Sequence, residues 1–158
     1  MEYDGAGRLI RVRDDGGAVL ASYVYGATNE RLASQEGEVR TYYVWSGSGV
    51  IAEYVEVGGA RQPAWTKQQF YLGGRLLATS QPADGGERVE YTHPDRLGTR
   101  LVRQDRGGAY YEQETLPYGV ALEGESSGGG SRRFTSYERS WVTGLDYAIN
   151  RHYDSLQG

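Results

Sequence analysis

The sequence predicts an all-β fold, a curled sheet of successive β-hairpins, on three observations. Tyrosine recurs with a period near twenty residues, at Tyr3, Tyr25, Tyr43, Tyr71 and Tyr91, and more loosely at Tyr110. Most copies run from the aromatic through a Gly/Asp/Asn-rich stretch to Arg and then Leu, Ile or Val, as in "YDGAGRLIRV" and "YLGGRLLATS". Aromatic and β-branched residues flanking a short glycine-containing turn mark a β-hairpin. Helical periodicity is weak almost throughout, whereas Val19, Ala21, Tyr23 and Tyr25 alternate onto one face, as do Val50, Ala52 and Tyr54.

Composition supports a folded chain. Leu, Ile, Val and Phe make up only 29 of 158 residues, but the net charge is a modest −4. The 14 tyrosines and 3 tryptophans supply the missing apolar area, since each ring buries on the order of 150–250 Å² while keeping a polar tip. The 24 glycines suit turns that need positive φ.

The anchors of each hairpin follow in order. The first copy offers Tyr3, Asp4, Gly7 and Arg8, the second Tyr25 and Arg31, and the third Tyr43. The fourth offers Tyr71, Gly74 and Arg75, and the fifth, "YTHPDRLGTRLV", offers Tyr91, His93, Asp95 and Gly98. Seven such units make about 14 strands and a sheet roughly 65 Å wide. Twisted open sheets rarely exceed about 10 strands without curling, so the sheet is predicted to curl. Fewer than four propeller blades fit in this length, and no Gly-His…Trp-Asp signature is present.

Two stretches break the pattern. "VGGARQPAW" (57–65) reads as an exposed loop. "EGESSGGGSRR" (123–133) is a flexible Gly/Ser linker by composition, where trypsin is expected to cut first, at Arg132 or Arg133. The chain therefore divides into hairpin repeats (1–122), linker (123–133) and a closing segment (134–158) within one β domain, because 25 residues cannot bury a core alone. In that segment Trp141, Leu145, Ala148, Ile149 and His152 fit a helical face, but Leu145, Tyr147, Ile149 and Tyr153 also alternate. Gly144 and the aromatic content favour strand.

Several chemistries are excluded. Without cysteine there is no disulfide framework, thiolate zinc site or Cys nucleophile. No stretch nears the roughly 18 apolar residues of a membrane span, and the N-terminus lacks a basic region followed by an apolar run. An acidic pI near 5.2 with interspersed charges argues against nucleic acid. His93 and Asp95 resemble two ligands of a metal pair, but two ligands make no zinc site, and a turn pre-set by Pro94 explains His93 more simply. No G-x-S-x-G elbow is present, and "SGSGV" (46–50) lacks the Lys-Ser/Thr of a phosphate loop. The expectation is no enzyme, no cofactor and no metal.

The ordered series is similar to the YD-repeat, or RHS-repeat, proteins of bacteria, whose relatives include the teneurins. "YDGAGRL" resembles the repeat consensus; the "YTHPDRLGTRLV" stretch followed by Pro117, Tyr118 and Gly119 resembles the late repeats. "RFTSYERSWVTGLDYAINRHYD", with Gly144, Leu145, Tyr147, Arg151, Tyr153 and Asp154, resembles the start of the RHS-associated core. The resemblance implies a β-strip wound into a shell that encloses or presents a C-terminal polypeptide such as a toxin, in a secreted or cell-surface setting. It implies as partners further repeats of the same polypeptide and an enclosed or downstream polypeptide.

Self-cleaving members carry an Arg-Asp pair where this chain has Arg139-Ser140, and a second Asp that matches Asp154. His152 takes a slot where the family often has tyrosine. Ser140 removes one carboxylate of an aspartyl pair, so Arg139 and Asp154 read as remnants. On one extended strand Asp146 would lie about 26 Å from Asp154. The exposed tyrosines leave a second reading open, a surface module for carbohydrate or protein. Neither end of the sheet carries a blocking Pro or Lys, since the only lysine is Lys67 and the four prolines are internal. The isolated chain is therefore expected to self-associate or to be marginally stable, and not to cleave itself.

Overall fold

The computed structural model of the chain describes residues 1–94, 101–105, 107, 108, 110–113, 116–120, 135, 137–149 and 151–157; for 101–105, 111–113 and 117 it describes the backbone alone. Asp95, Gly98 and the linker at 123–133 lie outside the described residues.

Eleven strands form one antiparallel sheet in which each pairs with the next in sequence: β1 (Glu2–Tyr3), β2 (Leu9–Arg13), β3 (Val19–Tyr25), β4 (Arg31–Glu36), β5 (Val39–Ser46), β6 (Gly49–Val57), β7 (Ala64–Leu72), β8 (Arg75–Ala83), β9 (Gly86–Pro94), β10 (Leu101–Asp105) and β11 (Tyr110–Gln113). The sheet does not close, because β1 and β11 stand at its two edges. Three two-residue strands, β12 (Glu138–Arg139), β13 (Asp146–Tyr147) and β14 (His152–Tyr153), make a second antiparallel sheet. Among the described residues the helical positions are 3-10 only, one turn at Pro117–Gly119 and Thr135. The predicted all-β array of hairpins is the observed architecture.

The turns repeat a local solution. In the β1–β2 connection the Asp4 carboxylate accepts the Ala6 and Arg8 amides, and Gly7 takes φ 77°. In β2–β3 the Asp14 carboxylate accepts the Ala18 amide, and Gly17 takes φ 86°. The β3–β4 loop begins with Gly26 and puts Asn29 at φ 70° in the left-handed position, a region Asn enters more readily than other residues with a side chain. Here the Glu30 carboxylate accepts the Thr28 amide, the service Asp4 performs for Ala6. A Cβ at Gly26 would collide with that carboxylate. Gly26→Asp alone is therefore expected to destabilise the chain by about 1–3 kcal/mol. Adding Glu30→Arg, which recreates the Asp4/Arg8 arrangement, is expected to recover most of the loss in thermal unfolding.

β-Bulges accompany these hairpins. Tyr3 faces Leu9, Tyr25 faces Arg31, Trp45 faces Val50 and Tyr71 faces Leu76, and after each pair the register shifts by one residue, at Ile10, Leu32, Ile51 and Leu77. An extra residue bends the strand and strengthens its twist. It also overturns one expectation: Val50 is buried but Tyr54 is 37% exposed, and Glu53 takes the inward place. The bulge at Ile51 offsets the alternation that would have aligned Val50 with Tyr54.

The bulges leave carbonyls for the next unit to use. The Tyr25 hydroxyl donates to the Leu9 carbonyl at 2.8 Å, and the Trp45 indole N–H donates to the Arg31 carbonyl at 2.9 Å. Each aromatic thus ties its own hairpin to the preceding one. Leu9, Val12, Ala21 and Tyr23 form the core cluster, and Leu145 from the closing segment completes it. The short sheet therefore packs onto the first hairpins.

That closing segment holds no α-helix among its described residues. Two strands flank a tight turn in which Ile149 has φ 57°, and Gly144 has φ 73°. The hairpin also brings together what an extended strand would separate. Asp146 pairs with Tyr153, one residue from Asp154, so the separation of about 26 Å expected for an extended strand does not hold.

Candidate functional site

The tail docks on the array through a buried arginine. In the β-register Arg31 occupies the position of Leu9, Val50 and Leu76, the strand residue facing the aromatic. Arg8 and Arg75, by contrast, belong to the turn side of their hairpins. Arg8 bonds Asp4 and the Gly26 carbonyl, and Arg75 is exposed. The three repeat arginines are thus not equivalent, and only Arg31 points into the interior.

Its guanidinium lies 4.1 Å from the Tyr147 ring centroid, 4.5 Å from Tyr43 and 5.7 Å from Tyr23, and 2.6 Å from the Glu138 carboxylate. Burial opposes its charge, but Tyr43, Glu138, Tyr147 and Tyr23 together hold its pKa above the ordinary value. The Arg31 amide donates to the Tyr147 hydroxyl at 3.0 Å, across 116 positions of sequence. Burial pushes the Tyr43 and Tyr147 hydroxyls up, so both stay neutral donors. Tyr43 shares a hydrogen bond with Ser34.

A second buried ion pair fixes the tail itself. Asp146 has no exposed surface, and Arg139 grips it with two parallel bonds of 2.8 Å, Nε to Oδ1 and NH2 to Oδ2. The same NH2 group reaches the Gly119 carbonyl at 3.0 Å and the Ser155 hydroxyl at 2.9 Å. Pro117–Gly119 thereby joins the closing segment; Tyr118, at φ 72°, turns its carbonyl to the Tyr153 hydroxyl at 3.0 Å. Asp154 caps its own turn by accepting the Leu156 amide, and Ser140 accepts the Thr143 amide. Asp146 and Asp154 are each engaged by other groups.

His152 stands between Tyr23, with ring centroids 4.9 Å apart, and Tyr147, at 5.5 Å. Its Nε2 is buried without a hydrogen-bond partner among the described residues. Burial, and then the nearby Arg31 charge, lower its pKa to about 4.

Between the array and the tail lies a cleft of about 730 Å³, lined by Tyr43, Trp45, Gly49, Tyr71, Tyr137 and Glu138 among others. Gly49 matters there because a Cβ would press the Tyr71 ring, at 3.1 Å. On the cleft floor Gln69 donates to Glu53 at 2.7 Å and accepts from Tyr71 at 2.8 Å. Lys67 completes the Glu53 pairing at 2.9 Å.

Other predicted anchors lie apart. Tyr3 and Tyr91 are exposed at 58% and 45%, and His93 is exposed on β9. Gly74 serves the β7–β8 turn at φ 79°. Arg151 lies beside His152 on the rim of a smaller cavity of about 250 Å³ that Arg8, Tyr25 and Asn29 share. No group of three or more His, Asp or Glu residues suited to a metal occurs among the described residues.

Sequence reasoning missed Trp45, Glu138 and Ser155, and placed the third repeat two residues early, on Tyr43. One signal could have corrected the phase. A Leu/Ile-Ala pair follows the turn in three units, at Leu32-Ala33, Ile51-Ala52 and Leu77-Ala78. The bulge falls on the first residue of each pair.

No family model matches the chain, and no curated protein matches it. Among solved structures, the Tc holotoxin pore of Photorhabdus luminescens, bearing a TccC3 mutation, contains a chain that aligns with a TM-score of 0.64 at 20% identity. The alignment covers 98% of this chain and 8% of that one. At that identity the likeness is one of fold: this chain is an open, all-β array of hairpins with the architecture of a small part of that far longer chain.

Proposed function

We propose that the chain is a non-enzymatic structural segment of an RHS/YD-repeat shell, one that encloses or presents another polypeptide. The observation that carries this reading is the open hairpin strip with its tail folded back onto it, aligned over 98% of its length with part of a toxin assembly. The strip supplies wall, and the docked tail ties the end of the wall to its own inner face. Catalysis has no part in this reading. Asp146, paired in register with the residue before Asp154, is held by the Arg139 fork, and Ser140 stands where a self-cleaving relative would carry an acid.

Protease protection tests the proposal. The chain, co-expressed with the polypeptide encoded after it, is expected to shield that polypeptide from digestion and to keep its own intact mass for days at pH 5 to 7. Digestion at the rate of the free polypeptide, or a discrete product cut near Arg139, overturns it.

A second reading, a binding module for neutral carbohydrate, draws on the cleft. Its volume lies within the roughly 300–1,000 Å³ range of small-molecule sites, and the Trp45 and Tyr71 rings are fixed by their polar tips. Saturable binding in a glycan titration, lost in Trp45→Ala, would favour it over the shell.

A further inference from the structure

The ring of His152 is placed where the docked molecule disfavours a proton on it, with a buried Nε2 that has no hydrogen-bond partner among the described residues. It sits between the same two tyrosine rings, Tyr23 and Tyr147, that Arg31 covers from its own side at 5.7 and 4.1 Å. The charged groups on the elements packed around it are mostly cationic or already engaged. β4 contributes Arg31, which Glu138 of β12 pairs at 2.6 Å. The β1–β2 loop contributes Arg8, held by Asp4 at 2.7 Å, and Arg151 flanks the ring's own strand. Glu30 of the β3–β4 loop is bound to Thr28, while Glu36 at the end of β4 acts on Tyr23. The other titratable neighbours are Tyr3 and Tyr25, which line the adjoining cavity, Asp146 of the paired strand β13, held by Arg139, and Tyr153 and Asp154 next along the chain, the latter accepting the Leu156 amide.

We propose that the docking of the tail onto the hairpin array is an acid-sensitive latch, released when the His152 ring takes up a proton. A protonated ring needs an acceptor at both nitrogens. Nε2 has none among the described residues, and the new charge would face Arg31. Undocking exposes the ring to water, where it binds a proton at its ordinary pKa.

The sign follows from linkage. The docked ring has a depressed pKa, about 4 against an ordinary 6.5, so its contribution is complete above pH 6.5. It is lost as pH falls from there towards 4, the interval in which the undocked state holds more protons. Between pH 7 and pH 4.5 the docking constant falls roughly sixtyfold.

Amide hydrogen exchange on the full chain reads this directly. The Arg31 amide is protected by the Tyr147 hydroxyl across the docking contact, so it reports docking, whereas the Ala148 amide, bonded to the Arg151 carbonyl, reports whether the tail hairpin itself survives. The Arg31 protection factor, corrected for the intrinsic rate, is expected to drop roughly sixtyfold from pH 7 to 4.5, while β5–β6 amides hold theirs. His152→Phe keeps an aromatic ring and removes the proton site; its docking amide is expected to lose that pH dependence. The latch is overturned by equal protection at both pH values, or by a fall that persists in His152→Phe. Should His152→Phe not fold, an NMR titration of the wild-type ring decides. A ring that titrates near 6.5 with the docking amide still protected overturns the proposal, and a ring protonated only as protection is lost supports it.

Discussion

Arg31→Ala is expected to cost about 3 kcal/mol and to undock the tail. Its side chain is only 5% exposed and its Glu138 partner 25% exposed. Removing one partner of a buried pair typically costs about 3–5 kcal/mol, because the other charge is left without compensation. The lower end applies here, since Glu138 keeps some contact with water. The three tyrosines would also lose the cation that fills the space between them. The double variant Arg31→Leu/Glu138→Leu is expected to lie close to the wild type. Leucine occupies the same register position at Leu9 and Leu76, and an apolar substitute for a buried ion pair is often neutral. Urea denaturation of the two single variants and the double gives the coupling between the sites. Additive losses would show that Arg31 works through its own packing and not through Glu138.

The second large effect belongs to Asp146. Asp146→Asn preserves the shape but removes the charge that both Arg139 bonds use. With Asp146 wholly buried and the Arg139 side chain 14% exposed, the loss is expected to be about 3–5 kcal/mol. Ser155→Ala removes one neutral hydroxyl from the same guanidinium and is expected to cost about 1 kcal/mol. Thermal or urea unfolding ranks the two. Near-equal losses would mean that Arg139 is held by the surrounding carbonyl and hydroxyl groups, not by the carboxylate.

These two ion pairs mark the limit of what the amino-acid order reveals. Local features were legible because they depend on nearest neighbours. Gly7 and Gly74 sit in turns that require positive φ, and Tyr25 and Tyr71 face the strand residue across their own turn. The period near twenty residues was enough for an all-β array of hairpins. It was not enough for phase, because Tyr43 and Trp45 lie two apart on the same face of β5, so either aromatic fits the pattern. Trp45, not Tyr43, stands in line with Tyr3, Tyr25 and Tyr71.

What sequence alone determined is the repeating hairpin, its turn chemistry and its reliance on aromatic area. Tertiary structure alone decided which arginine is buried, which carboxylate it meets and where the tail lies. Arg31 and Glu138 are 107 positions apart, and Arg31 and Tyr147 are 116 apart. The single residue that distinguishes Arg31 from Arg8 and Arg75 is its place one step beyond the turn. There the strand's alternation directs a charged side chain inward, and the charge is stable only because a distant segment brings a carboxylate and a tyrosine ring to meet it.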